Sequence, residues 1–393
     1  MTERPGPSGR PNAAPLPGIP GIFFPGIPGT LFPGIPGTLF PGLRRLPLLF
    51  LLLLFCACSG EGGGIPPFAF EDRDGWTLTS DQLNRKLALV PQGEALPAGL
   101  KGFEPSEIVR IPAERVIIAS GTYDFSIIRS LGKGDSVVGV SYNEIEWFDP
   151  DMKERLESGR VAYVGEWNAL DFENILLMKP GLVLLSSVES LGKLRDLGIP
   201  AAATYAHDDN GLENRLELIN FMGGLFGERE KARGIVERIE GEVDAIRRAT
   251  RGKSRPTVSW GIYYHKKIFT LAGDFWFSEL IDACGGDFVF RDQRHGTTEV
   301  GIEEFIHRSK DASVFFANIL FESGVANKAD YVRLHPDLAG FRAFQKGGIV
   351  LVPQGKLFED SANLDRVARE LCSVLRPDVC RPETLTYFQR LPD

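Results

Sequence analysis

Short apolar runs alternate with amphipathic stretches between residues 115 and 210. The runs lie at 116–119, 137–140, 182–185 and 201–205. Four or five consecutive apolar residues are typical of strands that are buried on both faces of a parallel sheet. Residues 124–131 have a helical pattern that Gly132 ends. The alternation predicts an α/β lobe with a parallel sheet, the N-lobe, over 115–210.

A helical spacing interrupts this alternation at residues 211–252. Apolar residues recur every three or four positions between Glu228 and Arg251, at Ile235, Ile239, Val243 and Ile246. That spacing predicts one long amphipathic helix. The α/β pattern then resumes over 253–393, the C-lobe, with strands predicted at 258–263, 268–271, 313–317 and 349–352 and helices at 274–284 and 363–375. The pattern therefore predicts two similar lobes joined by one long helix.

The first 57 residues differ from the rest of the chain. Residues 46–55 read LPLLFLLLLF after an arginine pair, which suits the apolar core of a signal peptide and is too short to span a bilayer. The segment that ends in Ala57-Cys58 resembles a bacterial lipobox, which implies cleavage before Cys58 and its lipidation. A plain secretory signal with incidental cysteines is the alternative. We expect 58–66 to be a flexible linker and 67–114 an N-terminal extension.

An eight-residue repeat, GIPGIFFP followed twice by GIPGTLFP, occupies residues 18–41. Its unit and copy number are too small to build a solenoid core. We interpret the repeat as sequence upstream of the true translation start, because the region before a signal peptide's apolar core is short. A Pro/Gly-rich extension of the mature protein is the alternative.

Charge and motifs exclude several classes of function. Residues 58–393 hold 40 of the 44 Lys and Arg and 51 of the 52 Asp and Glu, so their net charge is −11. An acidic chain without a basic stripe argues against nucleic-acid binding. The sequence has no GxSxG, HExxH or P-loop motif and no GxGxxG after a strand. We therefore predict that the protein is not an enzyme.

The cysteines leave the presence of a disulfide open. Cys372 and Cys380 lie eight residues apart in the sequence, and in an oxidising compartment they could form a disulfide. Two separate buried thiols fit the sequence equally well. No Cys/His spacing typical of a structural zinc site is present.

The lobes share a unit in which a short helix with a glutamate near its start leads into a strand. In the N-lobe, Phe172-Glu173 precedes the strand around Leu184, and in the C-lobe Ile302-Glu303 precedes the strand around Val314. A glutamate in the first turn is favoured by the helix dipole alone. Taken from the residues, helix capping is therefore a sufficient explanation for both.

In order and spacing, these segments resemble the iron-siderophore, haem and cobalamin substrate-binding proteins of bacterial ABC importers. The similarity extends from Arg115 to about Asp378, through segments 115–119, 135–140, 172–184, 279–286 and 343–353. It implies an α/β fold of two Rossmann-like lobes with parallel sheets, one long rigid α-helix between them, and a ligand cleft between the lobes. The extension 67–114 matches the family poorly.

The resemblance also implies a function. Such proteins hold a chelated metal in the cleft and dock on an inner-membrane permease through one glutamate per lobe, which implies docking roles for Glu173 and Glu303. The expected ligand is a ferric siderophore, with haem, cobalamin or a bare metal ion as alternatives. We expect a monomer without a resident cofactor, held by its lipid anchor at the periplasmic face of a membrane, that delivers its ligand to a permease with its ATPase. A lipoprotein sensor or a metal chelatase of the same fold, not coupled to transport, is the alternative class.

Candidates for the cleft are aromatic, Arg and His residues near the predicted strand ends, because ligands bind at the carboxyl ends of parallel strands. They are Tyr123, Trp147, Trp167, Tyr205, His207, Tyr264, His265, Trp276, Arg294 and His295. Such a lining suits a large planar, catecholate or hydroxamate chelate, although each ring could equally pack in the core. His207, His265 and His295 could bind a bare metal ion, and Tyr123 or His207 could ligate haem.

Overall fold

The computed structural model describes residues 66–204, 211–264, 267–294, 297–319, 324–345, 347–381 and 383–393. The described chain begins with a four-stranded sheet, made of β1 (Phe70–Arg73), β2 (Trp76–Ser80), β3 (Lys86–Pro91) and β4 (Ile108–Ile111). The first three strands are antiparallel, and β4 runs parallel to β3. Trp76, Leu78, Val90 and Leu100 form a small core on one face of this sheet. The predicted N-terminal extension is therefore a folded unit.

The N-lobe contains a parallel sheet with strand order β11-β10-β5-β6-β7. Its strands are β5 (Val116–Ala119), β6 (Val137–Val140), β7 (Ala162–Tyr163), β10 (Leu182–Leu185) and β11 (Ala201–Ala203), and a small hairpin is formed by β8 (Gly165–Glu166) and β9 (Ala169–Leu170). Its helices are α1 (Tyr123–Ser130), α2 (Pro150–Glu157), α3 (Phe172–Met178) and α4 (Val188–Asp196). The predicted strands at 116–119, 137–140 and 182–185 are confirmed, and each is buried along its length except for Val138.

Two helices connect the lobes. Helix α5 (Leu212–Leu225) packs against α6 (Arg229–Thr250), the long helix that the sequence predicts. Ile235, Ile239, Val243 and Ile246 lie on the buried face of α6. The two helices approach closely at Gly223, where a Cβ atom would lie 2.4 Å from that of Ala232.

The C-lobe sheet has the strand order β15-β13-β12-β16-β17-β18, with β14 paired to β12. The strands are β12 (Thr257–Tyr264), β13 (Lys267–Leu271), β14 (Asp287–Phe288), β15 (Thr297–Val300), β16 (Val314–Asn318), β17 (Ile349–Pro353) and β18 (Phe388–Arg390). The helices are α7 (Trp276–Ala283), α8 (Ile302–Ser309), α9 (Lys328–Leu334), α10 (Lys356–Glu359) and α11 (Leu364–Leu375). The centre β12-β16-β17 is parallel as predicted, but β13, β15 and β18 are antiparallel to their neighbours. Only two residues separate β12 from β13, and so short a connection joins antiparallel strands.

The N-terminal sheet lies along the edge of the N-lobe. Asp81 accepts a hydrogen bond from the backbone N–H of Ala203 on edge strand β11, at 3.0 Å, and the backbone N–H of Gln82 donates to the Ala203 carbonyl at 3.1 Å. Just before β1, the ring of Phe68 lies 4.7 Å from that of Phe221 on α5, measured between ring centroids. These contacts place the sheet against β11 and α5.

The C-lobe ends in a covalent link. Cys372, in the last turn of α11, forms a disulfide with Cys380, so the pairing that the sequence left open is present. Cys284 is a buried free thiol. Within the ranges given above, no helix is long and apolar enough to cross a membrane.

Candidate functional site

Hydroxyl groups follow three neighbouring strands at the carboxyl edge of the N-lobe sheet. Ser120, Ser186 and Thr204 come directly after β5, β10 and β11, which are adjacent in the sheet. All three side chains are buried. Since the carboxyl edge of a parallel sheet faces the ligand in open α/β folds, these hydroxyls lie at the N-lobe side of the predicted cleft. The sequence places Ser186 at a strand end, but the candidate list of aromatic, Arg and His residues missed Ser120 and Thr204, although the signal, a hydroxyl residue after each apolar run, is present.

Asp124, in the first turn of α1, ties this hydroxyl row together. Its Oδ2 accepts hydrogen bonds from Ser120 Oγ and, at 2.9 Å, from Thr204 Oγ1. Complete burial raises the pKa of this carboxyl to about 7, against the opposing effects of the two hydroxyls and Arg215. Its Oδ1 and the Ser186 hydroxyl have no hydrogen-bond partner among the described residues.

Arg215 of α5 joins the two lobes beside this row. Its guanidinium lies 5.0 Å from the ring centre of Tyr123 in the N-lobe and 4.9 Å from that of Trp276 in the C-lobe. Its Nη1 donates to Ser361 Oγ at 2.8 Å. Cation–π contacts are strongest when they are desolvated, and Arg215 is buried. Tyr123 and Trp276, which the sequence predicted to line the cleft, lie one in each lobe, and both rings are buried against Arg215 in the described conformation.

Trp147 is also a core residue in the structure. It is fully buried, and its Nε1 donates to the Tyr142 carbonyl at 3.1 Å. Its ring stands edge-on to Phe125, with centroids 6.1 Å apart. The alternative of core packing, which the sequence left open for every aromatic candidate, therefore holds for Trp147.

The segment after Trp147 crosses to the C-lobe. The backbone N–H of Phe148 donates to Glu359 Oε1 of α10 at 2.9 Å. The ring of Phe148 fits against Gly355 so closely that a Cβ atom there would lie 2.2 Å from it. Burial raises the pKa of Glu359 to about 8, which the Phe148 amide opposes and the Asp149 carboxylate favours. Glu359 thus fixes one side of the contact between the lobes.

Of the remaining cleft candidates, the structure describes the side chains of Trp167 and Arg294. Trp167 is half-buried in the turn between β8 and β9, and Arg294 is exposed, with its Nη1 4.0 Å from Asp274 Oδ2. Tyr205, His207, His265, His295 and the side chain of Tyr264 lie outside the described residues, as does Cys58. The proposed metal site of three histidines falls on those residues. Among the residues that the structure does describe, no group of His, Cys, Asp and Glu is arranged to hold a metal ion.

Glu173 and Glu303 occupy equivalent places in the two lobes. They lie in the first turns of α3 and α8, which lead into the central strands β10 and β16. A helix that leads into a parallel strand begins at the carboxyl edge of the sheet, so both glutamates lie at the cleft side of their lobes. Both are exposed, and neither carboxylate forms an ion pair within the described chain. The N-terminal cap of α3 is Asp171, whose Oδ1 accepts a hydrogen bond from the backbone N–H of Asn174 at 3.0 Å. Glu173 therefore does not cap this helix.

The sequence of both lobes matches a known protein family. The model of a family described as periplasmic binding protein matches residues 117–355, which is more than half of the chain. The chain belongs to this family. The match covers the N-lobe from β5, both connecting helices and the C-lobe as far as Gly355, and it confirms the resemblance inferred from the sequence.

The individual relatives and solved structures that resemble this chain have low sequence identity to it. An uncharacterised lipoprotein of Methanocaldococcus jannaschii is 24% identical over 287 residues, which cover 70% of this chain and 71% of that protein. A vitamin B12-binding protein of Yersinia pestis is 25% identical over 225 residues, covering 56% of this chain and 73% of that protein. A periplasmic haem-binding protein of Pseudomonas aeruginosa superimposes with a TM-score of 0.57 at 18% identity, covering 72% of this chain and 99% of the other. The periplasmic vitamin B12-binding protein of Vibrio cholerae gives 0.52 at 20% identity, with coverages of 68% and 98%. The structural matches support the two-lobed fold.

Proposed function

We propose that this protein is an extracytoplasmic substrate-binding lipoprotein that captures a chelated metal between its lobes and delivers it to the permease of an ABC importer. The observation that carries the proposal is the matched pair Glu173 and Glu303, one exposed carboxylate at the cleft side of each lobe, without an ion pair to any residue that the structure describes. Within the described chain neither carboxylate has an ion-pair partner, and the cap of α3 is Asp171 and not Glu173. Two such carboxylates at equivalent places in the lobes support docking on a partner that offers two cationic groups.

The ligand that we propose first is a ferric siderophore. Its hydroxamate or catecholate groups need hydrogen-bonding partners, and the carboxyl edge of the N-lobe offers Ser120, Ser186 and Thr204. Opening of the lobes is required, because these hydroxyls are buried in the described conformation. A corrinoid is the second candidate, and the similarity to vitamin B12-binding proteins favours it.

Lipidation of Cys58 would hold the protein at the outer face of a cell membrane, within reach of its permease. The lipobox-like sequence before Cys58 supports this, and so does the similarity to a protein named as a lipoprotein. The acyl chains together with the linker 58–66 would form a tether, since a single chain gives only marginal membrane binding.

Alanine substitution of the glutamates tests the delivery function. We expect Glu173→Ala and Glu303→Ala each to raise the protein concentration for half-maximal stimulation of the permease's ATPase by about two- to fivefold, because a charge pair across an interface sets orientation and adds modestly to affinity. Ligand binding to the isolated protein should not change. Glu304→Ala is the matched control, because Glu304 is a neighbour on α8 that pairs with Arg308 at 3.3 Å.

Two outcomes would contradict delivery through the matched pair. One is full stimulation by the Glu173→Ala/Glu303→Ala double variant with ligand binding intact. The other is an equal loss in the Glu304→Ala control, which would show that the charge of this surface in general, and not the matched pair, is responsible.

A further inference from the structure

The helix that carries Glu173 exposes an apolar pair on the same face. Leu176 and Leu177 follow Glu173 at three and four residues, the spacing that places side chains side by side on a helix. Leu177 is 81% exposed and Leu176 is 49% exposed, whereas Ile175 on the opposite face is fully buried. Among the exposed large apolar residues of the described chain, Leu177 is the most exposed.

The equivalent face of the C-lobe has a different chemistry. In α8 the positions that correspond to Leu176 and Leu177 are Ile306, which is half-buried against the core, and His307, which is exposed and polar. The two lobes thus present the same carboxylate but unequal surroundings. Of these two helices, only α3 has its exposed glutamate next to two exposed leucines.

We propose that Glu173, Leu176 and Leu177 form one docking face for the permease, in which the leucines supply most of the affinity and the carboxylate supplies the register. This inference rests on the proposed function and adds residues to it. Burial of a leucine at an interface contributes in proportion to the apolar area removed from water, whereas an exposed charge pair contributes little. The partner surface must therefore offer a cationic group next to an apolar depression. The C-lobe face, with His307 in place of a leucine, docks through its charge.

The permease is the occupant that the charges favour. A second copy of this chain would bring another acidic surface, since residues 58–393 carry a net charge of −11, and would oppose Glu173 with like charge. An anionic lipid surface would be repelled in the same way. A permease surface with a cationic group next to an apolar depression would complement the carboxylate and cover the leucines at the same time.

The test uses the full chain and its permease–ATPase complex in nanodiscs, with stimulation of ATP hydrolysis as the readout. We expect Leu176→Ser/Leu177→Ser to raise the concentration for half-maximal stimulation by about tenfold or more, the effect of losing an interface anchor. The loss should persist at high salt, whereas the loss in Glu173→Ala should shrink as the pair is screened. His307→Ser should change the value less than about twofold, within the range of near-neutral interface contacts.

Leu197→Ser is the matched control, because Leu197 is a 43% exposed leucine at the end of α4 in the same lobe. It should behave as wild type. Because the substituted leucines are exposed, folding should be retained, and equal melting temperatures and equal ligand binding verify this. Leu176→Met/Leu177→Met should restore stimulation.

The outcomes separate this inference from the proposed function. Wild-type stimulation by the leucine variant, with a loss in Glu173→Ala, overturns the apolar docking face and leaves delivery to the permease intact. No loss in either variant overturns both. Concentration-dependent dimers of the wild-type chain that the leucine substitutions abolish, measured by analytical ultracentrifugation, would assign the face to self-association and also overturn the inference.

Discussion

Glu359 is a buried acid of the C-lobe that accepts a hydrogen bond from the Phe148 backbone N–H of the N-lobe. Its folded-state pKa is about 8, raised from 4.5 mainly by burial. Below pH 4.5 the group is protonated in the folded and the unfolded chain, and its contribution to stability is fully present. As the pH rises towards about 8 the unfolded chain releases the proton first, so this contribution is lost.

We predict that Glu359→Gln weakens the pH dependence of stability. Glutamine keeps an acceptor for the Phe148 amide but does not titrate, so the free energy of unfolding should fall less steeply between pH 5 and pH 8, by up to about 1.4 kcal/mol per pH unit for one proton. Asp124 and Glu146, with pKa values raised to about 7 by burial, should leave part of the slope. Urea titrations of the wild type and the variant at several pH values measure the pH dependence of the free energy of unfolding.

The exposed Glu157 of α2 provides the control for this experiment. Glu157→Gln makes the same chemical change at an exposed position away from the lobe contact, so it shows how much of any change in slope is specific to Glu359. A Glu359→Gln protein whose stability varies with pH as steeply as that of the wild type would show that this acid does not titrate in the lobe contact.

At the scale of elements, the Cys372–Cys380 disulfide joins the end of α11 to the loop that follows it. We predict that reduction, or Cys380→Ser, lowers the free energy of unfolding by about 2–3 kcal/mol, because the link restricts a short loop in the unfolded chain. Thermal melts of the protein with and without reductant measure this as a drop of several °C. Cys380→Ser should melt at the same temperature in both conditions, and a reductant-sensitive variant would refute the assignment.

The central elements could be predicted because their patterns are local. The strands Val116–Ala119, Val137–Val140 and Leu182–Leu185 are buried on both faces, and α6 has a regular apolar stripe. The sheet before residue 112 was not predicted as a unit, because β1 reads FEDR with three exposed residues and has no apolar run. The antiparallel edge strands of the C-lobe were missed for a related reason, since strand direction depends on connections and not on the residues of the strand.

At the scale of the whole molecule, contacts between residues distant in the sequence determine the site. The pattern placed Tyr123, Trp147 and Trp276 near strand ends correctly, but it could not show that Arg215 of α5 lies between Tyr123 and Trp276. Glu173 and Glu303 were easier to locate, because each belongs to a local unit that the lobes share. The cross-lobe contact of Glu359 with Phe148, 211 residues away, had no signal in the sequence.

Native mass spectrometry of the full chain purified from its host, with an absorption spectrum of the same sample, tests the central claim most directly. The account predicts one metal chelate per chain, with a ligand-to-metal charge-transfer band if the chelate is a ferric siderophore and a corrin spectrum if the second candidate is bound. A chain that is free of ligand as purified, and that also fails to bind ferric siderophores, corrinoids and haem when these are added, would contradict it.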